Sequence, residues 1–409
     1  MNLGDREDKS TQTVSSEAGT ARLTAIRKEI DAVDQELLRL FNHRAELSRE
    51  VGRIKANVPG IIFKPLRERE VLDNLAAHNP GPLPEEHLRA IWREILSSSR
   101  AMQRPQSVAY LGPEGTFSYF TGLEYLGHAA TFHACRDIAQ IFEEVTLGQC
   151  ELGVVPLENS LQGTVGVSFD LFLKHDVFIQ AELFSRISHC LLSNAPNMAT
   201  IRRVYSHPQP LAQCGVWLRA HLPNAVPIPV ESTAAAARQA MEQPDAAAIG
   251  HHKLADLMSM SILARHIEDE PGNWTRFVII GPHTTGTAQN GALPRPTPGK
   301  YNGADKTSML FTLPDKSGAL ALVLDLLARH NINMRKLESR PMRGQCWKYV
   351  FFADVESNLE DAAHAPLLDE LRHACTSFRI LGSYPTGPQL DRMNIDDPEE
   401  GIENHERHC

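Results

Sequence analysis

Paired cysteines are missing from this chain of 409 residues. Its seven cysteines stand far apart, at 135, 150, 190, 214, 346, 375 and 409, and none forms a Cys-x-x-Cys pair. An odd, scattered set counts against a disulfide framework and predicts reduced thiols in a cytoplasmic protein. No cluster with metal-ligand spacing stands out, so no metal and no other cofactor is expected. Positive charge is also in short supply. Lys and Arg number 41 against 50 Asp and Glu, a net charge of −9, which disfavours a nucleic-acid partner. No uninterrupted apolar run is long enough to cross a bilayer; the most apolar helical stretch, 318–328, contains Asp325. The polar N-terminus has no apolar centre and is not expected to be a signal peptide. Residues 1–20 are expected to be a disordered tail.

What is present fits a protein of two to four domains, with an ordinary 42% hydrophobic content. From Leu23 a stripe runs through Ile26, Ile30, Val33, Leu37, Leu40, Leu47, Val51 and Ile54, in steps of three and four, the pattern of one long helix. Arg44 is the polar break in that register. The helix, about 50 Å long, is too long to bury its stripe against short neighbours, which implies a homodimer or higher homo-oligomer. Arg44 and Lys55 are eleven residues apart and point the same way. Arg27 and Lys55 are separated by about 42 Å of helix and cannot reach one small ligand within one chain. In an antiparallel dimer, Arg27 of one chain could join Arg44 and Lys55 of the other. A second helix from Pro65 carries Glu68, Leu72 and Leu75. A third from Pro84 turns Leu88, Ile91 and Ile95 inward and continues the stripe with Ser99 and Gln103. Snorkelling and surface charge would also explain the basic residues, but inward Ser99 and Gln103 need partners.

Beyond Arg104-Pro105, short apolar strands alternate with helical segments as far as Gly281. This pattern predicts a mostly parallel sheet in two small α/β lobes. Within it, Gly153-Val154-Val155 reads as a buried strand that Pro156 should end. Glu158, Asn159 and Ser160 follow at its carboxyl end, where open α/β sheets place ligands; such a triplet is more often a solvated turn or a cap. The Gly-, Pro- and Thr-rich segment 284–304 is a linker. Segments 308–384 then run strand, helix, strand, strand, helix, strand, a ferredoxin-like βαββαβ sandwich, followed by an acidic tail over 387–409.

The helical module, 21–105, resembles the all-helical chorismate mutases. The resemblance implies that Arg27 of the partner chain joins Arg44, Lys55, Glu68, Ser99 and Gln103 around the dicarboxylate chorismate. Lys64 stands where some relatives have an acidic residue. Residues 106–283 are similar to prephenate dehydratases through five stretches in order. These are Tyr110 to Ser118, Val154 to Ser160, Ser206-His207-Pro208-Gln209 with Gln213-Cys214, Glu231-Ser232-Thr233-Ala234, and Asn273-Trp274-Thr275-Arg276-Phe277. This implies a two-lobed, periplasmic-binding-protein-like domain acting on prephenate, with Thr275 as the main catalytic group. A threonine is a poor acid, so Thr275 reads as a positioned donor to the leaving hydroxyl. A buried Glu158 with a raised pKa could supply the proton. Asn159, Ser160, Ser206, Gln213, Ser232 and Thr233 would bind ring substituents and carboxylates. Arg276 reads as a structural ion pair and His207 as a loop organiser.

The segment 305–386 resembles the ACT regulatory module, through Ser317-Gly318-Ala319-Leu320 and Glu338-Ser339-Arg340-Pro341. That implies an allosteric phenylalanine site at Gly318, Ala319, Leu320, Glu338, Ser339 and Arg340, with Leu320 and Leu337 as apolar walls. Truncation after Pro282 is then expected to keep the dehydratase chemistry and lose the response to phenylalanine. The order of modules resembles the bifunctional enzymes of phenylalanine biosynthesis. The alternatives are a non-catalytic amino-acid sensor, or a dehydratase whose helical module only dimerises.

Overall fold

A computed structural model describes residues 7–55, 62–282, 305–342 and 348–390. The expected linker, most of the acidic tail, Cys346 and Cys409 lie outside the described residues. The chain falls into two compact units, residues 1–59 with 98–104, and 60–97 with 105–409.

In the first unit, α1 (Glu7–Lys55) starts well ahead of the apolar register. The expected tail is therefore helical from Glu7, and no proline or glycine interrupts residues 7–18 to stop it. Its apolar stripe is bare: Leu23, Ile30, Val33, Leu47 and Ile54 are all half or more exposed. Two further helices follow, α2 (Pro65–Ala77) and α3 (Glu85–Gln103); the end of α3 belongs to the first unit. Leu88 is buried, whereas Ile91, expected inward, is exposed. Phe63, just before α2, is buried in the larger unit with its ring edge-on to Tyr125.

The larger unit opens with β1 (Ser107–Leu111), α4 (Phe117–Leu126), β2 (Thr131–Cys135), α5 (Ile138–Thr146), β3 (Leu152–Asn159) and β4 (Gly163–Thr164). Next come α6 (Gly166–Lys174) and β5 (Phe178–Arg186). The chain then crosses into a second lobe. That lobe holds β6 (Cys190–Ser193), β7 (Arg203–Ser206), α7 (Pro208–Gln213), α8 (Gly215–His221) and β8 (Val226–Pro229). It continues through α9 (Thr233–Met241), β9 (Ala246–Gly250), α10 (Lys253–Met258) and β10 (Ser261–Ala264). Finally β11 (Trp274–Gly281) returns to the first lobe, between β5 and β3.

Both sheets are mixed, a correction to the parallel expectation. β11 pairs antiparallel with β3 and β5, and β6 antiparallel with β9 and β10. The reason is the double crossing, because a strand re-entering from the other lobe runs opposite to those that left. Pro156 does not end β3. It stands at a bulge, where Arg276 pairs with Glu158 but Phe277 pairs with Pro156, leaving Leu157 extra. A bulge tolerates the missing N–H.

The C-terminal domain comprises β12 (Asp305–Thr312), α11 (Ala319–Arg329), β13 (Met334–Pro341), β14 (Tyr349–Val355), α12 (Ala365–Ala374) and β15 (Ser377–Pro385). Its four strands are ordered β13-β14-β12-β15. One face of this sheet packs on α11 and α12 through Phe311, Val323, Val355 and Leu371. The other places Leu310, Val350, Phe352 and Leu381 in the core of the first lobe of the two-lobed body, with the rings of Phe352 and Phe169 4.3 Å apart. The chain then forms β16 (Gln389–Leu390), an edge strand parallel to β5. The start of the expected tail is thus part of the first lobe's sheet. Gly382, at φ +156°, brings β15 so close to β5 that a Cβ would stand 2.1 Å from the Ile179 carbonyl oxygen. Gly382→Ala is therefore expected to cost about 1–3 kcal/mol of stability. Gly81→Ala, with only the Asn79 side chain within 4 Å, should be near neutral; chemical denaturation of the two variants checks this.

Candidate active site

Asn159 ends β3 opposite Thr275 on β11, and both side chains are buried. The Asn159 amide nitrogen donates to Asn273 Oδ1 at 2.7 Å and to Thr275 Oγ1 at 3.0 Å. Its Oδ1 accepts from the backbone N–H groups of Leu161 and Gln162 at 3.1 and 2.9 Å. The amide therefore cannot flip without losing four bonds. Because Asn159 donates to it, the Thr275 oxygen is an acceptor on that side, and its own proton is free to point elsewhere. Ser160 sews the same turn: its backbone N–H donates to the Trp274 carbonyl at 2.8 Å and its hydroxyl accepts from the Trp274 N–H at 2.9 Å.

The second lobe approaches this turn directly, with Gln209 of α7 donating to the Gln162 side chain at 3.0 Å. At the end of that helix, Gln213 Oε1 is 2.9 Å from His189 Nε2. Nε2 must carry the proton and donate, which turns the Gln213 amide NH2 away as a free donor. Ser232 caps α9, accepting from the Ala235 N–H at 3.0 Å, and Thr233 is its first residue. A carboxylate would be favoured there by the helix end. Ser206 is fully buried and donates to the Ile249 carbonyl at 2.9 Å, so its hydroxyl proton is spent on fastening β7 to β9. His207 caps α7, as its loop-organising reading expects.

Burial lowers the pKa of His189, more than Gln213 and Glu268 raise it, and the ring is neutral when folded. Unfolding restores an ordinary imidazole with a pKa of about 6.5, so the unfolded chain takes up a proton first as pH falls. The stabilisation is complete above that value and is lost as pH drops towards the folded pKa. His189→Gln should therefore flatten the fall in melting temperature between about pH 7 and 5, read by calorimetry against the parent.

Glu158 does not join this cluster. Neighbouring residues of a strand face opposite ways, and Glu158 pairs instead with Lys336 Nζ of β13 at 2.8 Å, with Arg276 3.9 Å away. Its expected part as proton source is withdrawn. Arg276 is a buried ion-pair residue, as expected, held by Glu182 and Asp354. Burial acts to lower its pKa, but Tyr384, Asp354 and Glu182 outweigh this and raise it.

In the first unit, the Arg44 guanidinium donates to the Ser99 hydroxyl, and Gln103 Nε2 donates to the Ser99 carbonyl at 3.2 Å. Burial lowers the Arg44 pKa. Gly52 admits this approach, since a Cβ there would stand 2.8 Å from the Gln103 Cα. Arg27 and Lys55 are exposed on the same helix. Glu68, on α2 in the larger unit, lines a cavity of about 340 Å³ with Arg69, Leu72 and Arg93.

The expected phenylalanine residues are split. Gly318 has φ +81° at the start of α11, and a Cβ there would meet nothing within 4 Å. Ala319 is buried, and Leu320 packs against the α11–α12 core. Leu337 and Ser339 pair with Ala353 and Phe351, which belong to that same side. Glu338 pairs with Phe352, on the opposite side. It accepts from the Thr164 hydroxyl, and Arg340 lies 3.6 Å from Asp170. Strand alternation thus turns Glu338 and Arg340 onto the first lobe of the two-lobed body, away from Gly318, and the expectation that they share its site is corrected. The truncation would remove more than the candidate phenylalanine site. Residues beyond Pro282 supply β16, Asp354 and Lys306, and Lys306 is one of two cations on buried Glu182. Cutting them away strips the first lobe of an edge strand and of partners for buried charges, so the truncated chain is expected to be less stable than the full one.

Sequence missed His189, Glu182, Asp354 and Lys336. A signal did exist for two of them: Glu182 and Asp354 are lone acids inside apolar strands.

A helical unit carrying Arg44, Ser99 and Gln103, a two-lobed α/β body with a buried Asn–Thr pair, and a βαββαβ domain together define a multidomain enzyme. Family models agree in that order: chorismate mutase type II matches residues 26–104, prephenate dehydratase 108–285 and ACT domain 307–373. The bifunctional chorismate mutase/prephenate dehydratase of Aquifex aeolicus is 40% identical, covering 89% of this chain and 98% of its own. That of Neisseria gonorrhoeae is 39% identical, covering 88% and 96%. The crystal structure of a prephenate dehydratase from Arthrobacter aurescens in complex with L-Phe is 33% identical, with a TM-score of 0.58, covering 68% of this chain and 89% of that one. The chain belongs to the bifunctional chorismate mutase/prephenate dehydratase family.

Proposed function

We propose that the helical unit rearranges chorismate to prephenate, that the two-lobed body converts prephenate to phenylpyruvate, and that phenylalanine inhibits through the C-terminal domain. The observation that carries the second step is the Asn159–Thr275 bond, which commits the threonine proton outward. As carbon dioxide departs, electrons move into the ring and expel the ring hydroxyl, and the ring becomes aromatic. A hydroxide leaves poorly, and a fixed donor at that oxygen stabilises the charge as it develops. Gln213, Ser232 and Thr233 hold the carboxylate end, and Ser160 shapes the turn.

The first step needs neither nucleophile nor proton transfer, only a substrate clamped in the reactive shape with donors on its ether oxygen. Arg44 with Ser99 and Gln103 makes part of that clamp. Lys55 of the same chain and Arg27 of the partner subunit complete it. The bare stripe of α1 supports a homodimer as the smallest working form. The protein works in the cytoplasm.

Gly318 at the start of α11 supports the third part. Its positive φ keeps the loop open, so backbone N–H groups can receive a carboxylate. The test is phenylpyruvate formation from prephenate by the full chain, with and without phenylalanine, beside Gly318→Val. The parent should be inhibited, and the variant should retain basal rate with its inhibition weakened at least tenfold in concentration. Equal inhibition of both would place the inhibitor elsewhere, most simply in the cleft.

A further inference from the structure

His189 is 1% exposed and sits where the chain first crosses into the second lobe, between β5 and β6. The return crossing pins its backbone. Its N–H donates to Glu268 Oε2 at 2.8 Å, and its carbonyl accepts from the Ile267 N–H at 3.0 Å. The Phe117 ring stands edge-on to the imidazole, 5.5 Å away. Nε2 lies 2.9 Å from Gln213 Oε1, and the Gln213 backbone carbonyl is itself fixed by the Asp269 N–H at 2.7 Å. Two arrangements could close the side-chain contact. Either a protonated Nε2 donates to the amide oxygen, or the amide NH2 donates to a bare Nε2. The second puts the ring proton on Nδ1, which is buried and meets no hydrogen-bond partner among the described residues. A buried N–H without an acceptor is tolerated less than a spare lone pair. The first arrangement therefore holds. With its oxygen committed to His189, the partly exposed Gln213 keeps its NH2 group for a ligand.

We propose that His189 is a positioning residue for the dehydratase site: its Nε2–H turns the Gln213 amide so that a donor, and not the carbonyl oxygen, faces a carboxylate of prephenate. The proposal rests on the reading of Gln213 as a group that holds the carboxylate end. The two ends of an amide are nearly alike in shape, so packing alone does not choose between them. Flipped, Gln213 would set an oxygen against the carboxylate and turn an attraction into a repulsion. One buried hydrogen bond thus decides the sign of the contact. An aliphatic side chain would fill the same space without making that choice. A neutral imidazole makes it and brings no charge into a buried place. The contact is made as the substrate binds, and it changes little as the ring oxygen leaves. Its loss is therefore expected in KM, with kcat near that of the parent.

The test uses the full chain, with steady-state kinetics on prephenate and mutase activity as the internal control. His189→Leu fills the space and removes the donor. His189→Gln restores a donor, because its amide nitrogen reaches the place of Nε2. Gln213→Ala reports on the underlying reading, and combining it with His189→Leu closes a double-mutant cycle. Gln213→Ala and His189→Leu should each raise prephenate KM about tenfold, with kcat within about twofold of the parent. His189→Gln should stay within about twofold of the parent in both constants. The combined variant should be no worse than Gln213→Ala, because an unfixed amide is all that the loss of His189 spoils. If His189→Leu does not fold, His189→Asn decides, since its amide stays polar but is too short to reach Gln213. Parental KM in the folded variant, a loss that appears only in kcat, losses that multiply in the combined variant, or no rescue by His189→Gln overturns the proposal. Should Gln213→Ala itself keep parental KM, the reading of Gln213 fails; should it weaken binding while His189→Leu does not, the positioning role alone fails.

Discussion

Thr275→Ala is expected to lower kcat for phenylpyruvate formation by about 100- to 1000-fold, the usual cost of deleting one fixed donor from a developing oxyanion. Mutase activity should stay near that of the parent. The separation follows from the division of the chain, since Arg44, Ser99 and Gln103 belong to the first unit and Thr275 to the second. KM should change little, because the hydroxyl stabilises charge that appears only as the ring oxygen leaves. Thr275→Ser keeps the donor and should recover much of the rate. Steady-state assays of both activities on the same preparations check this. Equal loss of the two in a folded protein would remove Thr275 from the site.

Arg27→Ala and Lys55→Ala are each expected to abolish mutase turnover, yet a mixture of the two should regain about a quarter of the sites. Both residues lie on α1, about 42 Å apart by helix rise, too far to reach one small ligand within one chain. In a two-fold dimer each site takes Lys55 from one chain and Arg27 from the other. Random pairing makes half the dimers mixed, and each mixed dimer has one intact site. Chorismate consumption after verified subunit exchange is the measurement. No recovery would mean that the site is not shared.

Much of the architecture was legible because periodicity reports burial. The α1 stripe, the alternating strands and helices, and the βαββαβ order are direct consequences of which faces must leave water. Pro156 misled because a proline is read as a strand end, whereas here a bulge absorbs its missing N–H. The polar start of α1 misled because low apolar content does not forbid a helix.

Asn159 and Thr275 were legible as a site from strand-end position and motif. Which face each neighbour takes was not. Glu158 sits beside Asn159 in sequence, but alternation turns it to Lys336. The same rule separates Glu338 from Ser339 and sends Arg340 to Asp170. Partners such as Glu182 and Asp354 lie many residues away in sequence, and only packing the C-terminal sheet on the first lobe brings them to Arg276.

One chain is expected to run two consecutive reactions at separate sites, the second closed by Thr275. That expectation is tested most directly by following the products formed from chorismate alone at neutral pH. The parent should yield phenylpyruvate, and Thr275→Ala should convert the same chorismate into accumulating prephenate with almost no phenylpyruvate. Parental phenylpyruvate formation by the variant would contradict the account, as would failure of the parent to consume chorismate.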